Sequence, residues 1–158
     1  MKHTITVLVE NRAGALSKIA GLFSRRGFNI ESLAVGVTEN PRISRMTIVV
    51  DCDDFTIEQV EKQLNKLIDT IKVRVLPEGS YVSRELTLVR VGCSAKQRPE
   101  LLKTAELMNA RIVDVTPSTI TMEFTDTSER TDTLIALLKP FGIRELVRTG
   151  LSAIEKGK

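Results

Sequence analysis

The sequence predicts an α+β protein built from two tandem βαββαβ units. Three observations carry this reading. Apolar residues alternate at period two in short runs, recur at helical spacing between those runs, and follow the same order of runs twice. Alternation marks a strand with one buried face, because successive side chains point to opposite sides of a sheet. Spacing of i, i+3, i+4, i+7 marks a helix with one stripe turned to a core.

In the first half, Ile5, Val7 and Val9 alternate with Thr4, Thr6 and Leu8 as the opening strand. Leu16, Ile19, Ala20 and Phe23 form the core stripe of a helix that Gly27 stops. Leu33, Val35 and Val37 alternate in the next strand, Asn40-Pro41 marks a turn, and Met46, Ile48 and Val50 alternate after it. Thr56-Ile57-Glu58-Gln59 reads as a capping box, opening a helix striped by Ile57, Val60, Leu64, Leu67 and Ile68. Ile71, Val73 and Val75 finish the unit.

The second half repeats the order more faintly. Glu85 to Val91 reads as a strand, and Pro99 as the first residue of a helix carrying Leu101, Leu102, Ala105 and Met108. Ala110 to Thr116 and Thr119 to Phe124 flank the turn Pro117-Ser118 as a hairpin. A helix with Leu134, Ile135 and Leu138 ends at Lys139-Pro140-Phe141-Gly142, and Ile143 to Arg148 makes the last strand. This is the ferredoxin-like arrangement in tandem. Residues 1–76 form the first domain, 77–84 with Pro77-Glu78-Gly79-Ser80 the linker, and 85–158 the second domain.

Composition narrows the function classes. A hydrophobic share of 42% against 27% charged suits a folded chain and argues against disorder. No apolar run approaches the ~18 residues of a membrane span, and Glu10 and Arg12 interrupt the start too early for a signal peptide. Cys52 and Cys93 lack metal or redox spacing, so two reduced thiols and a cytoplasmic location are expected. Residues 1–76 carry 11 Lys/Arg against 9 Asp/Glu, and the rest 12 against 11, so neither half is a basic domain. With only 4% aromatics there are few stacking platforms, and no nucleic-acid partner is expected.

Catalytic chemistry is missing. The single histidine, His3, stands at the start of the first strand and reads as a solvent-exposed strand-end residue. No metal-ligand cluster, GxGxxG or P-loop occurs. Asp51, Asp53 and Asp54 lead into a helix and suit its positive end, with metal binding the alternative. Arg12 sits where ferredoxin-like acyl-phosphate hydrolases place a phosphate-binding arginine, but Gly14 alone, between Ala13 and Ala15, makes no glycine-rich cradle. Its plain reading is a solvated loop charge.

Glu10-Asn11-Arg12-Ala13-Gly14-Ala15-Leu16 joins a strand to a helix start, where free N–H groups and the positive dipole end suit a carboxylate. Small residues there would let a zwitterion approach the backbone. On spacing alone, Asn11 can equally be a helix cap, Gly14 a packing residue and Asn29 a turn residue after Gly27.

The blocks Asn11-Arg12-Ala13-Gly14-Ala15-Leu16, Gly21 to Leu33, Ser44-Arg45-Met46-Thr47-Ile48 and Glu61 to Leu67 resemble the regulatory small subunits of acetolactate synthase. Arg84-Glu85-Leu86, Val113-Asp114-Val115 and Gly142 to Gly150 extend the resemblance over almost the whole chain. Phe28, Asp126 and Glu155 depart from it, standing where tyrosine, glycine and a basic residue are usual.

The resemblance implies an N-terminal ACT domain, an amino-acid-binding form of the βαββαβ unit. It implies no catalysis by this chain alone, a homodimer through the ACT domain, and a partner catalytic subunit carrying thiamine diphosphate, Mg²⁺ and FAD. It implies activation of that partner and feedback inhibition by a branched-chain amino acid, valine first. Carried over residue by residue, Asn11, Gly14 and Ala15 form one wall of the effector site. Asn29 and Ile30 come from the neighbouring protomer. A stand-alone amino-acid sensor is the alternative, although no helix-turn-helix segment is left over.

Overall fold

In the computed structural model, which describes residues 1–158, the first unit runs β1 (Lys2–Glu10), α1 (Ala15–Arg26), β2 (Ile30–Val37), β3 (Ile43–Asp51), α2 (Asp54–Asn65) and β4 (Thr70–Leu76). The sheet order is β2-β3-β1-β4. Antiparallel register sets Val7 opposite Met46 and Val73, and Ile5 opposite Ile48 and Val75, so one face is apolar across three strands. That face is covered by Ile19, Leu22 and Phe23 of α1 and by Ile57, Val60 and Leu64 of α2. Because β2 lies at the edge, one side of its backbone has no strand partner within the chain.

The second unit repeats the plan with β5 (Tyr81–Gly92), α3 (Arg98–Met108), β6 (Arg111–Val115), β7 (Thr119–Asp126), α4 (Ser128–Leu138), a 3₁₀ turn at Lys139–Phe141 and β8 (Ile143–Arg148). Its sheet runs β6-β7-β5-β8. Val89 and Val91 face Leu101, Ala105 and Met108 of α3 and Leu134 and Leu138 of α4. Glu85 is buried among these elements, and its carboxylate accepts from the Arg148 guanidinium, Nε at 2.8 Å.

Two βαββαβ units are therefore present, as the repeated pattern predicts. The compact units divide the chain differently from the sequence reading. A short strand, β9 (Ser152–Glu155), follows β8 and pairs with β5, and residues 151–158 belong to the first unit with residues 1–82. The sequence pattern alone places all of 85–158 in the second domain.

This return explains a burial that alternation did not foresee. Thr4, Thr6 and Thr47 lie on the sheet face away from the helices, yet all three are buried. The Thr4 hydroxyl meets the Tyr81 hydroxyl at 3.3 Å, and the Ala153 N–H reaches the Thr47 hydroxyl at 3.4 Å.

Smaller corrections have local causes. Helix α2 starts at Asp54 because Asp53 is its cap: the Asp53 carboxylate accepts from the Thr56 N–H at 2.7 Å. Ile68 falls beyond the end of that helix and is exposed. The buried stripe of α1 begins at Ala15 rather than Leu16, which is exposed. Pro99 is the second residue of α3.

Candidate functional site

β1 ends at Glu10, and the next residues are fastened from two sides. The Asn11 N–H donates to Arg42 O at 2.7 Å, and the Asn11 side-chain amide donates to Pro41 O at 2.9 Å. Asn11 therefore ties the loop to the β2–β3 turn and does not cap α1. Its Oδ1 is left without a partner within the chain.

Gly14 holds φ 87°, a left-handed conformation that lets the chain turn sharply into α1. It is also the N-cap, so no side chain satisfies the helix start, and the first turn holds no acidic residue. The Ala15 N–H makes a long bond of 3.3 Å to Arg12 O, and its methyl faces the core. The N–H groups of Leu16 and Ser17 have no partner within the chain. A Cβ added at Gly14 would meet nothing within 4 Å, so the corner is open.

Behind this corner sits a buried carboxylate. Asp69 lies 3.0 Å from the Lys18 ammonium and 3.9 Å from the Arg12 guanidinium, and its backbone oxygen accepts from the Glu10 N–H at 2.8 Å. Loop and helix are thus held by one residue preceding β4. No local pattern announces Asp69, because its partners come from distant sequence.

At the other end of α1, Gly27 takes φ 71° and caps the helix. Phe28 packs edge-on against Phe23, with ring centroids 6.4 Å apart. Asn29 is exposed with no side-chain partner, and half-buried Ile30 opens β2 opposite Val50. α1 has 12 residues, which at 1.5 Å each is about 18 Å. One chain therefore gathers Asn11, Gly14 and Ala15 at one corner and Asn29 with Ile30 at another. It does not bring the two sets together.

The remaining candidates have structural occupations. Asp51 pairs with the N-terminal ammonium at 2.7 Å, which holds its carboxyl below the usual range. Asp53 caps α2, and Asp54 lies 3.6 Å from His3 Nε2. His3 is not the exposed residue expected: its side chain is 11% exposed, and Nε2 meets Cys52 O at 3.1 Å. No group of three or more His, Cys, Asp or Glu is placed to hold a metal ion, and no helix is long and apolar enough to cross a membrane.

Residues 5–72 match the family described as AHAS small subunit-like ACT domain, and residues 84–157 match that described as small subunit of acetolactate synthase. The chain belongs to the acetolactate synthase small-subunit family. The probable small subunit of Archaeoglobus fulgidus is 52% identical over 157 residues, covering 99% of this chain and 98% of that protein. The small subunit of Mycolicibacterium smegmatis is 46% identical, covering 98% and 91%.

The crystal structure of the small subunit from Thermotoga maritima is similar at a TM-score of 0.93 and 36% identity, covering 100% of this chain and 99% of that one. As a regulatory small subunit with an ACT domain, this chain is the non-catalytic component of its enzyme.

Proposed function

We propose that this small subunit activates a separate thiamine-diphosphate-dependent catalytic subunit and makes it sensitive to valine, through an effector site shared by two copies of the ACT domain. Thiamine diphosphate, Mg²⁺ and FAD belong to the catalytic subunit in this reading, and the working location is the cytoplasm. The observation that supports it is that Asn11, Gly14 and Ala15 lie at one end of α1 and Asn29 and Ile30 at the other, about 18 Å apart. A two-fold axis beside that helix sets the N-terminal corner of one copy against Asn29 and Ile30 of the other.

The chemistry on each side suits an aliphatic amino acid. The unpartnered N–H groups of Leu16 and Ser17, at an open corner with no acidic side chain, suit the effector carboxylate. Oδ1 of Asn11 and of Asn29 would accept from its ammonium group, and Ile30 would cover its aliphatic end. The unpaired edge of β2, with Val35 and Val37 exposed, gives two copies a surface to pair along.

Reconstitution with the catalytic subunit tests the proposal. Adding this chain should raise acetolactate formation, and valine should then suppress it; the chain alone should show no turnover with all three cofactors supplied. A reconstituted enzyme indifferent to both the small subunit and valine would contradict it.

A further inference from the structure

On the sheet face away from the helices, the first unit carries a cleft of about 390 Å³ that the effector site does not use. Register builds it. Leu8 on β1 stands opposite Arg45 on β3 and Lys72 on β4, and Thr6 stands opposite Arg74. Three cations from the two strands flanking β1 therefore share one face, with Leu8 and Thr6 as the floor. Strands lie about 4.8 Å apart, so the Arg45 and Lys72 backbones are about 10 Å apart, within reach of one group held above Leu8. The returning β9 supplies the far wall through Ile154 and Glu155.

Charge in the cleft is unbalanced. Glu155 pairs with Arg74. Arg45, which is half-buried, and Lys72 have no counter-ion or hydrogen-bond partner within the chain. Thr6 is 6% exposed, and its hydroxyl also has no partner. An unpartnered hydroxyl beside unpaired cations offers hydrogen bonds and charge to one oxyanion. The volume exceeds what an inorganic ion fills and falls within the range of small-molecule sites. Leu8 and exposed Ile154 add apolar wall.

We infer that this cleft binds a small phosphate-bearing metabolite, its phosphate held by Arg45, Lys72 and the Thr6 hydroxyl, its organic body against Leu8 and Ile154. Glu155 competes with the ligand for Arg74, so its sign of effect is opposite to that of the cations.

Calorimetric titration of the full chain with inorganic pyrophosphate tests the charge, and phenyl phosphate against inorganic phosphate tests the apolar wall. Saturable binding is expected, weakened at least tenfold by Arg45→Gln or Lys72→Met, retained within a few-fold by Arg45→Lys, and tightened by Glu155→Gln. Phenyl phosphate should bind several-fold tighter than phosphate. Absence of saturable binding, or binding unchanged in both Arg45→Gln and Lys72→Met, would overturn the site. Equal affinity for phenyl phosphate and phosphate would overturn the organic body, and capture of a polyglutamate peptide in place of pyrophosphate would assign the face to an acidic protein segment.

Discussion

The Lys18 ammonium stands 3.0 Å from the Asp69 carboxylate, joining the first turn of α1 to the loop before β4. The two ends of this pair are unequal: the Asp69 side chain is 8% exposed and that of Lys18 is 59% exposed. Removing the cation strands a buried charge, whereas removing the carboxylate frees a lysine to hydrate. Lys18→Met should therefore lower the unfolding free energy more than Asp69→Asn does, by about 1 kcal/mol or more. Urea denaturation of both variants measures this. Equal losses would mean that Arg12, at 3.9 Å, already satisfies Asp69.

Gly14 separates strain from charge. Its φ of 87° strains any substitution, but nothing lies within 4 Å of a new Cβ, so Asn and Asp at this position carry the same backbone cost of about 1 kcal/mol. Only Asp adds a negative charge where the proposal puts the effector carboxylate. In the reconstituted enzyme, Gly14→Asp should need at least about tenfold more valine for half-inhibition, a difference of about 1.4 kcal/mol, while activation is kept. Gly14→Asn should stay within a few-fold of the parent. Similar valine responses in both variants would remove the carboxylate from this corner.

Asp53 predicts an acid response. Its carboxyl is held below the ordinary 3.8 first by the hydrogen bonds of Thr56. A folded-state pKa below the unfolded one gives stability that is complete above the unfolded pKa and fades as pH falls through the folded one. The parent should be more stable than Asp53→Ala at pH 6, and that gap should close progressively below about pH 4. Thermal unfolding across pH 6 to 2.5 reads it; a gap constant with pH would show that the ionised cap contributes nothing.

Much of the fold was legible because its cores are local in pattern. Val7 and Ile5 alternate because each packs under α1 and α2, and Gly27 ends a helix as a left-handed glycine does. The burial of Thr6 and Thr47 was not legible. Their cover comes from residues 151–158, and a four-residue strand carries too little periodicity to announce its return.

At the candidate site the loop and its glycine were legible, but the occupations of their atoms were not. Asn11 spends its amide on Pro41, and the free donors belong to Leu16 and Ser17 rather than Ala15. Hydrogen-bond bookkeeping of that kind depends on where the β2–β3 turn lands, which no pattern near Asn11 records.

The central claim is that one effector site is assembled from both ends of α1, each end from a different copy. Binding across such a seam must favour the dimer, and the dimer must favour the ligand by the same factor. Removing a hydrogen bond from Asn29 to the effector's charged ammonium, as proposed, should cost about 1.5–3 kcal/mol, or roughly 10- to 150-fold in affinity. Sedimentation of the full chain over a range of concentrations, with and without valine, is the direct measurement. Valine should tighten self-association of the parent, and Asn29→Ala should lose most of that tightening. A parent chain that binds valine equally well as a monomer would contradict the shared site.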